Sequence, residues 1–226
     1  RINGYIMNAG ETMKYGRLVT PFTAANGYST APGYLQGKTV DMVGGGACQA
    51  SSTLYGAALY ANLEIVQRTN HGFASDYIGL GLDATVAQGG PEFEFRNNTN
   101  YPIKVVAEYY ESGGKNYLKI SLLGTKVDDT YVKIKTDVLE TIPFSEQIVE
   151  TDELAPGERK VEQTAYTGYK VKTYRNVYSG DGKLISSTFE ASSNYKARDR
   201  ILLVGKSAAT TPTDPGTVTP VDPGTT

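Results

Sequence analysis

The chain has 226 residues, with 22 Lys and Arg against 24 Asp and Glu, for a formal net charge of −2. A mixed, nearly neutral balance argues against nucleic acid or an anionic membrane surface as partner. One cysteine and one histidine exclude an internal disulfide and a thiolate zinc cluster, so neither a metal nor another cofactor is expected.

A chain this nearly free of cysteine fits the cytosol or a secreted Gram-positive protein. No apolar run is long enough to span a bilayer, and no signal-peptide pattern opens the sequence. Arg1-Ile2-Asn3 reads as the interior of a domain. A longer precursor that is secreted or membrane-anchored is therefore expected, with membrane contact only through a segment absent from this chain. Seventeen tyrosines, 25 glycines and no tryptophan favour a β-rich, surface-exposed protein.

Residues 1–43 are dense in turn signals, among them Asn3-Gly4, Asn26-Gly27, Pro32-Gly33 and Gln36-Gly37. Short extended segments are expected between them, at Arg17–Phe22 and Gly37–Val43. Next comes GGGACQASSTLYGAALY (residues 44–60), read as a glycine turn delivering the chain into a helix that ends near Ala61-Asn62. LEIVQR (63–68) reads as a short strand, and 73–92 as loop. Phe93–Arg96, Ile103–Tyr110 and Lys115–Leu123 alternate as strands, the last two forming a hairpin across Gly113-Gly114.

From Val127 the texture becomes alternating throughout. Strands are expected at Tyr131–Val138, Ile148–Thr151, Lys160–Thr164, Tyr169–Tyr178, Leu184–Phe189 and Arg200–Val204. Gly180-Asp181-Gly182 marks a hairpin. Residues 207–226, SAATTPTDPGTVTPVDPGTT, read as a linker or disordered tail. The expected fold class is α+β. A mixed domain (1–126) with a central helix on antiparallel strands precedes an elongated all-β module (127–206) with a thin core.

The chemistry centres on Cys48, at the first turn of the expected helix. Free N–H groups and the positive dipole end favour an anion there, which for a thiol is the reactive thiolate. A helix from Cys48 to Ala61 advances roughly 20 Å, and an extended return from Leu63 to His71 covers roughly 26 Å. The lone histidine is thereby brought beside the lone cysteine as its base. The backbone at Gly45, Gly46, Cys48 and Gln49 can approach a substrate carbonyl and hold its oxyanion. Ser51 and Ser52 either orient substrate or satisfy groups in the first helical turn. Asn70, Asp76 and Asp83 are all within loop reach of the imidazole as its orienting partner, and spacing does not choose among them. The tyrosines of 166–195 either stack on glycan or form plain sheet face.

GGGACQASSTLYGAALYANLEIV resembles the VanW family, whose hallmark is GGG-x-CQ-x-SSTLY-x-AAL. The resemblance extends over residues 3–110, through AGETMKYGRLVTPFTAANGYSTAP, RTNHGFASDYIGLGLDATV and FRNNTNYPI. Family members occur largely on the outer side of Gram-positive membranes, and some are linked to glycopeptide-resistance clusters. Some act as L,D-transpeptidases on peptidoglycan stem peptides. The resemblance thus implies Cys48 as acyl-accepting nucleophile and His71 as its base. Residues 128–206 resemble the five-glycine (G5) domain, with Gly157, Gly168, Gly182 and Gly205 at family positions and one glycine replaced near Ala165. Such modules are proposed to bind N-acetylglucosamine polymers.

The expectation is an extracellular cell-wall protein: a cysteine-dependent L,D-transpeptidase with a wall-binding module, acting on stem peptides and contacting N-acetylglucosamine-containing glycan. The alternatives are a non-catalytic peptidoglycan-binding scaffold, or an endopeptidase or amidase using the same Cys-His pair.

Overall fold

The computed structural model describes residues 1–35 and 38–206. The expected turn at Gln36-Gly37 and the expected linker at 207–226 lie outside them. The elements in the first half are β1 (Ile6–Met7), β2 (Thr12–Lys14), α1 (Tyr15–Val19), β3 (Thr30–Leu35), β4 (Lys38–Val43), α2 (Ala47–Tyr60), β5 (Glu64–Gln67), β6 (Glu94–Arg96), β7 (Ile103–Ser112) and β8 (Lys115–Leu123). The second half is strand throughout: β9 (Tyr131–Ile142), β10 (Glu146–Thr151), β11 (Arg159–Gln163), β12 (Gly168–Tyr178), β13 (Leu184–Tyr195) and β14 (Arg200–Gly205).

The class is broadly α+β. Among the described residues one long helix packs against small antiparallel sheets, ordered β1-β7-β8, β2-β6-β5 and β3-β4. The helix buries Leu54, Tyr55, Ala58 and Leu59 completely. They meet Met7, Met13, Phe93, Phe95 and Val105 in one cluster. The Tyr55 ring meets Phe93 edge-on at 5.6 Å, and Phe93 stacks on Phe95 at the same separation. Burial on this scale stabilises by about 1.5–3 kcal/mol for each large apolar side chain.

One expectation fails in the entrance region. Arg17–Phe22 is not an extended segment; its first part belongs to α1. The cause is non-local. The Glu92 carboxylate accepts the N–H of Gly16 at 2.5 Å and that of Arg17 at 3.1 Å. Those are donors that the first turn of a helix leaves unpaired, and a carboxylate is the favoured charge there.

In the second module β12 is central, paired antiparallel with β13 and β9. A further sheet is ordered β10-β14-β11, with β10 and β14 parallel. The hairpin between β12 and β13 closes at Ser179–Lys183 through Ser179 N–H to Lys183 C=O, 2.9 Å, where the Gly-Asp-Gly signal stands. Strand β13 continues six residues beyond the expected Phe189, and that extension carries it to the first domain.

Candidate active site

The turn before α2 is built for close approach. Gly44 adopts φ +81°, and a side chain at Gly45 would run into the carbonyls of Ala31 and Pro32 on β3. Gly45 is therefore glycine for packing, whereas Gly46 is exposed and faces open space. Gly46 caps α2, and the first intrahelical bond runs from Ala50 N–H to Gly46 C=O, 3.2 Å. Cys48 and Gln49 are the second and third helical residues, so their N–H groups have no intrahelical acceptor. Gln49 is exposed and Cys48 half-buried.

The thiol is held from the far side by the peptide of Val86. Sγ lies 3.3 Å from the Val86 carbonyl oxygen, and the Val86 N–H donates to Sγ at 3.5 Å. Ser51 and Ser52 set that segment in place. The Ser52 hydroxyl accepts from Ala84 N–H at 2.9 Å and donates to Cys48 C=O at 2.7 Å, while Ser51 donates to Ala84 C=O at 2.5 Å. Both serines are fully buried. Their hydroxyls clamp residues 84–86 to the helix and are closed to substrate. Of the two roles expected for these serines, the bonds they make are the local ones.

Beyond β5 the chain reaches His71, whose side chain is 15% exposed. Of the three candidate partners, Asp83 meets the ring. Its Oδ2 lies 2.6 Å from Nδ1 and also accepts the His71 backbone N–H at 2.6 Å. Asn70 turns instead to the carbonyls of His71 and Asn194, and Asp76 is exposed and is not among the ring's partners. With Nδ1 bound to a carboxylate, Nε2 is the nitrogen left to face other groups.

Burial of the ring opposes its protonation. The hydrogen bond to Asp83, with further interactions from the Cys48 thiol and the charge of Asp83, outweighs that and raises the His71 pKa to about 9. Burial likewise opposes ionisation of Asp83, but its bond to His71, the Arg68 charge and the Tyr195 hydroxyl leave its pKa below the ordinary carboxylate value.

Sequence reasoning missed three neighbours. Arg68 ion-pairs with Asp83 at 2.7 Å with both side chains buried, and its guanidinium lies over the Tyr55 ring at 5.3 Å. The Tyr77 hydroxyl lies 3.4 Å from His71 Nε2, and burial pushes its pKa up to about 12. Tyr195, at the end of β13, donates to Asp83 at 2.5 Å. It is 3% exposed and so neither stacks on glycan nor serves as plain sheet face. Arg68 closes LEIVQR and has a local signal as a basic residue three positions before the histidine; Tyr77 and Tyr195 have none.

The family described as VanW like protein matches residues 1–122, and the G5 domain matches residues 133–207. The uncharacterized protein YoaR of Bacillus subtilis (strain 168) is 41% identical over 109 residues, 48% of this chain and 36% of that protein. The vancomycin B-type resistance protein VanW of Enterococcus faecalis (strain ATCC 700802 / V583) is 34% identical over 105 residues, 44% of this chain and 38% of that protein. The match thus spans little more than a third of either relative. Among solved structures, the G5 domain of an IgA1 protease is similar at 24% identity and TM-score 0.24, covering 35% of this chain and 94% of that one. HP0197-G5 is similar at 26% and TM-score 0.19, covering 33% and 95%. With its match extending over more than half of its residues, the chain belongs to the VanW like protein family.

Proposed function

We propose that this chain is a cell-wall-associated cysteine acyltransferase of the L,D-transpeptidase type, acting outside the cell on peptidoglycan stem peptides. The observation that carries the reading is the arrangement of Cys48, His71 and Asp83: a thiol at a helix start, an imidazole whose pKa that thiol helps to raise, and a buried carboxylate 2.6 Å from Nδ1. Membership of the VanW family and the vancomycin-resistance name of one relative support the cell-wall setting. The G5 match supports a contact with wall glycan containing N-acetylglucosamine.

In this reading His71 Nε2 takes the thiol proton, leaving a thiolate beside an imidazolium that Asp83 stabilises. The Cys48 sulfur attacks the carbonyl of the amide before the terminal D-residue of a stem tetrapeptide. The N–H groups of Cys48 and Gln49 hold the oxyanion. The C–N bond breaks, the leaving amine takes the proton from His71, and a thioester to Cys48 remains. The amine of a second stem then attacks the thioester and gives its proton to His71. A new amide forms, and the sulfur leaves and is reprotonated.

Incubation with tetrapeptide muropeptides, followed by mass spectrometry, is expected to show 3–3 cross-linked dimers with wild type and none with Cys48→Ala. Cross-linking by Cys48→Ala at the wild-type level would end the assignment. Products shortened by one residue without dimers would identify water as the acceptor and a hydrolase in place of a transferase.

A further inference from the structure

Asp83 is held by groups from both modules. Its Oδ2 is taken by His71, and its Oδ1 is shared by Arg68 at 2.7 Å and the Tyr195 hydroxyl at 2.5 Å. Tyr195 lies 112 residues away in sequence, and its oxygen also accepts the Gly81 N–H at 2.8 Å. The contact is not isolated. Ser193 Oγ accepts from Arg68 at 2.8 Å, Asn194 C=O accepts from Asn70 at 2.9 Å, and Lys196 N–H donates to Gly72 C=O at 2.7 Å. Four consecutive residues of the second module therefore bind the chain on both sides of His71.

A flexibly tethered module would meet its neighbour through solvated surface. Here a fully buried carboxylate of the first domain has its hydrogen bonding completed by the second, and such a group is costly to leave incomplete. Gly81, at φ +80°, fits the same seam, because any side chain there would run into Thr173 Oγ on β12.

We infer that the second module is a working part of the thiol site: Tyr195, delivered by β13, is a positioning residue that holds Asp83, and through it His71, in register with Cys48. The inference rests on the nucleophile–base reading of Cys48 and His71.

The test uses the full chain and iodoacetamide, which reports on the chain's one thiol without ambiguity. The readout is the ratio of the alkylation rate at pH 7 to that at pH 10, where thiols are ionised without assistance. Tyr195→Phe is expected to lower the ratio about tenfold, as loss of a hydrogen bond to a charged group does, with the pH 10 rate unchanged. Ser193→Ala, which removes one hydroxyl from the same seam, is expected to lower it about threefold, and decides the matter if Tyr195→Phe does not fold. Arg175→Lys is the control. Arg175 bonds the Leu63 carbonyl across the seam at 2.6 Å without touching Asp83, so the variant is expected to lose thermal stability and keep the ratio.

An unchanged ratio in Tyr195→Phe beside a collapsed ratio in His71→Ala overturns this inference and leaves the nucleophile–base reading standing. An unchanged ratio in His71→Ala overturns both. An equal fall in Arg175→Lys and Tyr195→Phe overturns the positioning role, because docking alone would then account for the effect.

Discussion

The two modules are stabilised by different means. Around α2 the first domain buries Met7, Met13, Leu54, Tyr55, Leu59, Phe93 and Phe95 completely. Among the described residues of the second, the buried apolar set is Val132, Val171, Tyr195 and Leu202, while Thr173, Arg175 and Ser193 are buried as well. Those polar residues face the first domain, at Gly81, Leu63 and Arg68 respectively. The β module is thus short of a core of its own and is pinned by a polar seam to a neighbour that has one. That seam ends at the carboxylate under His71.

The largest effect that sharpens this contrast is expected at the seam itself. Asp83→Asn removes the negative partner of the buried Arg68 and is expected to cost about 3–5 kcal/mol, read by urea unfolding. A cost below about 1 kcal/mol would mean that the buried ion pair contributes little to stability.

Next come the cores. Leu59→Ala in α2 is expected to cost about 2–5 kcal/mol. Leu202→Ala on β14 is expected at the lower end of that range, since its surroundings are thinner and collapse more easily. Equal costs would contradict the difference between the two cores.

Of similar size is the pH dependence. The His71 pKa is raised to about 9 from 6.5. Its pairing with Asp83 therefore contributes stability that is complete below pH 6.5 and is lost as pH rises through about 9. The stability difference between wild type and His71→Gln is expected to narrow by about 3 kcal/mol between pH 6 and pH 10. On the acid side Asp83 contributes in the opposite sense. Its pKa is lowered, so that stability is present above the ordinary carboxylate value and is lost as pH falls through the depressed one. Smallest is Lys170→Ala, which breaks an exposed pair with Glu140 on the far edge of the sheet and is expected to change stability by less than about 0.5 kcal/mol.

The helix and the strands were legible because their signals are local. Three glycines before an Ala- and Leu-containing run mark the start of α2, and period-two alternation with Gly-Asp-Gly marks β12 and β13. The short helix α1 was not legible, because what closes its first turn is Glu92, 76 residues away. The lengths of helix and return strand are enough to propose a pairing of Cys48 with His71. They are not enough to choose Asp83 over Asn70 and Asp76, since all three lie within loop reach. That choice is decided by Arg68, which the fold of the first domain brings to Asp83, and by Tyr195, which arrives from the second module. Ser51 and Ser52 show the reverse problem: hydroxyls beside a cysteine look like substrate contacts in sequence, and burial assigns them to the clamp on residues 84–86.

The central claim, that Cys48 carries the acyl group, is tested most directly by intact-protein mass spectrometry after mixing the full chain with a stem tetrapeptide donor. The expected result is a hydroxylamine-labile adduct equal to the donor less its terminal residue, mapped by fragmentation to Cys48 and lost in His71→Ala. Accumulation of cross-linked product with Cys48 unmodified throughout, or the same adduct in Cys48→Ala, would contradict it.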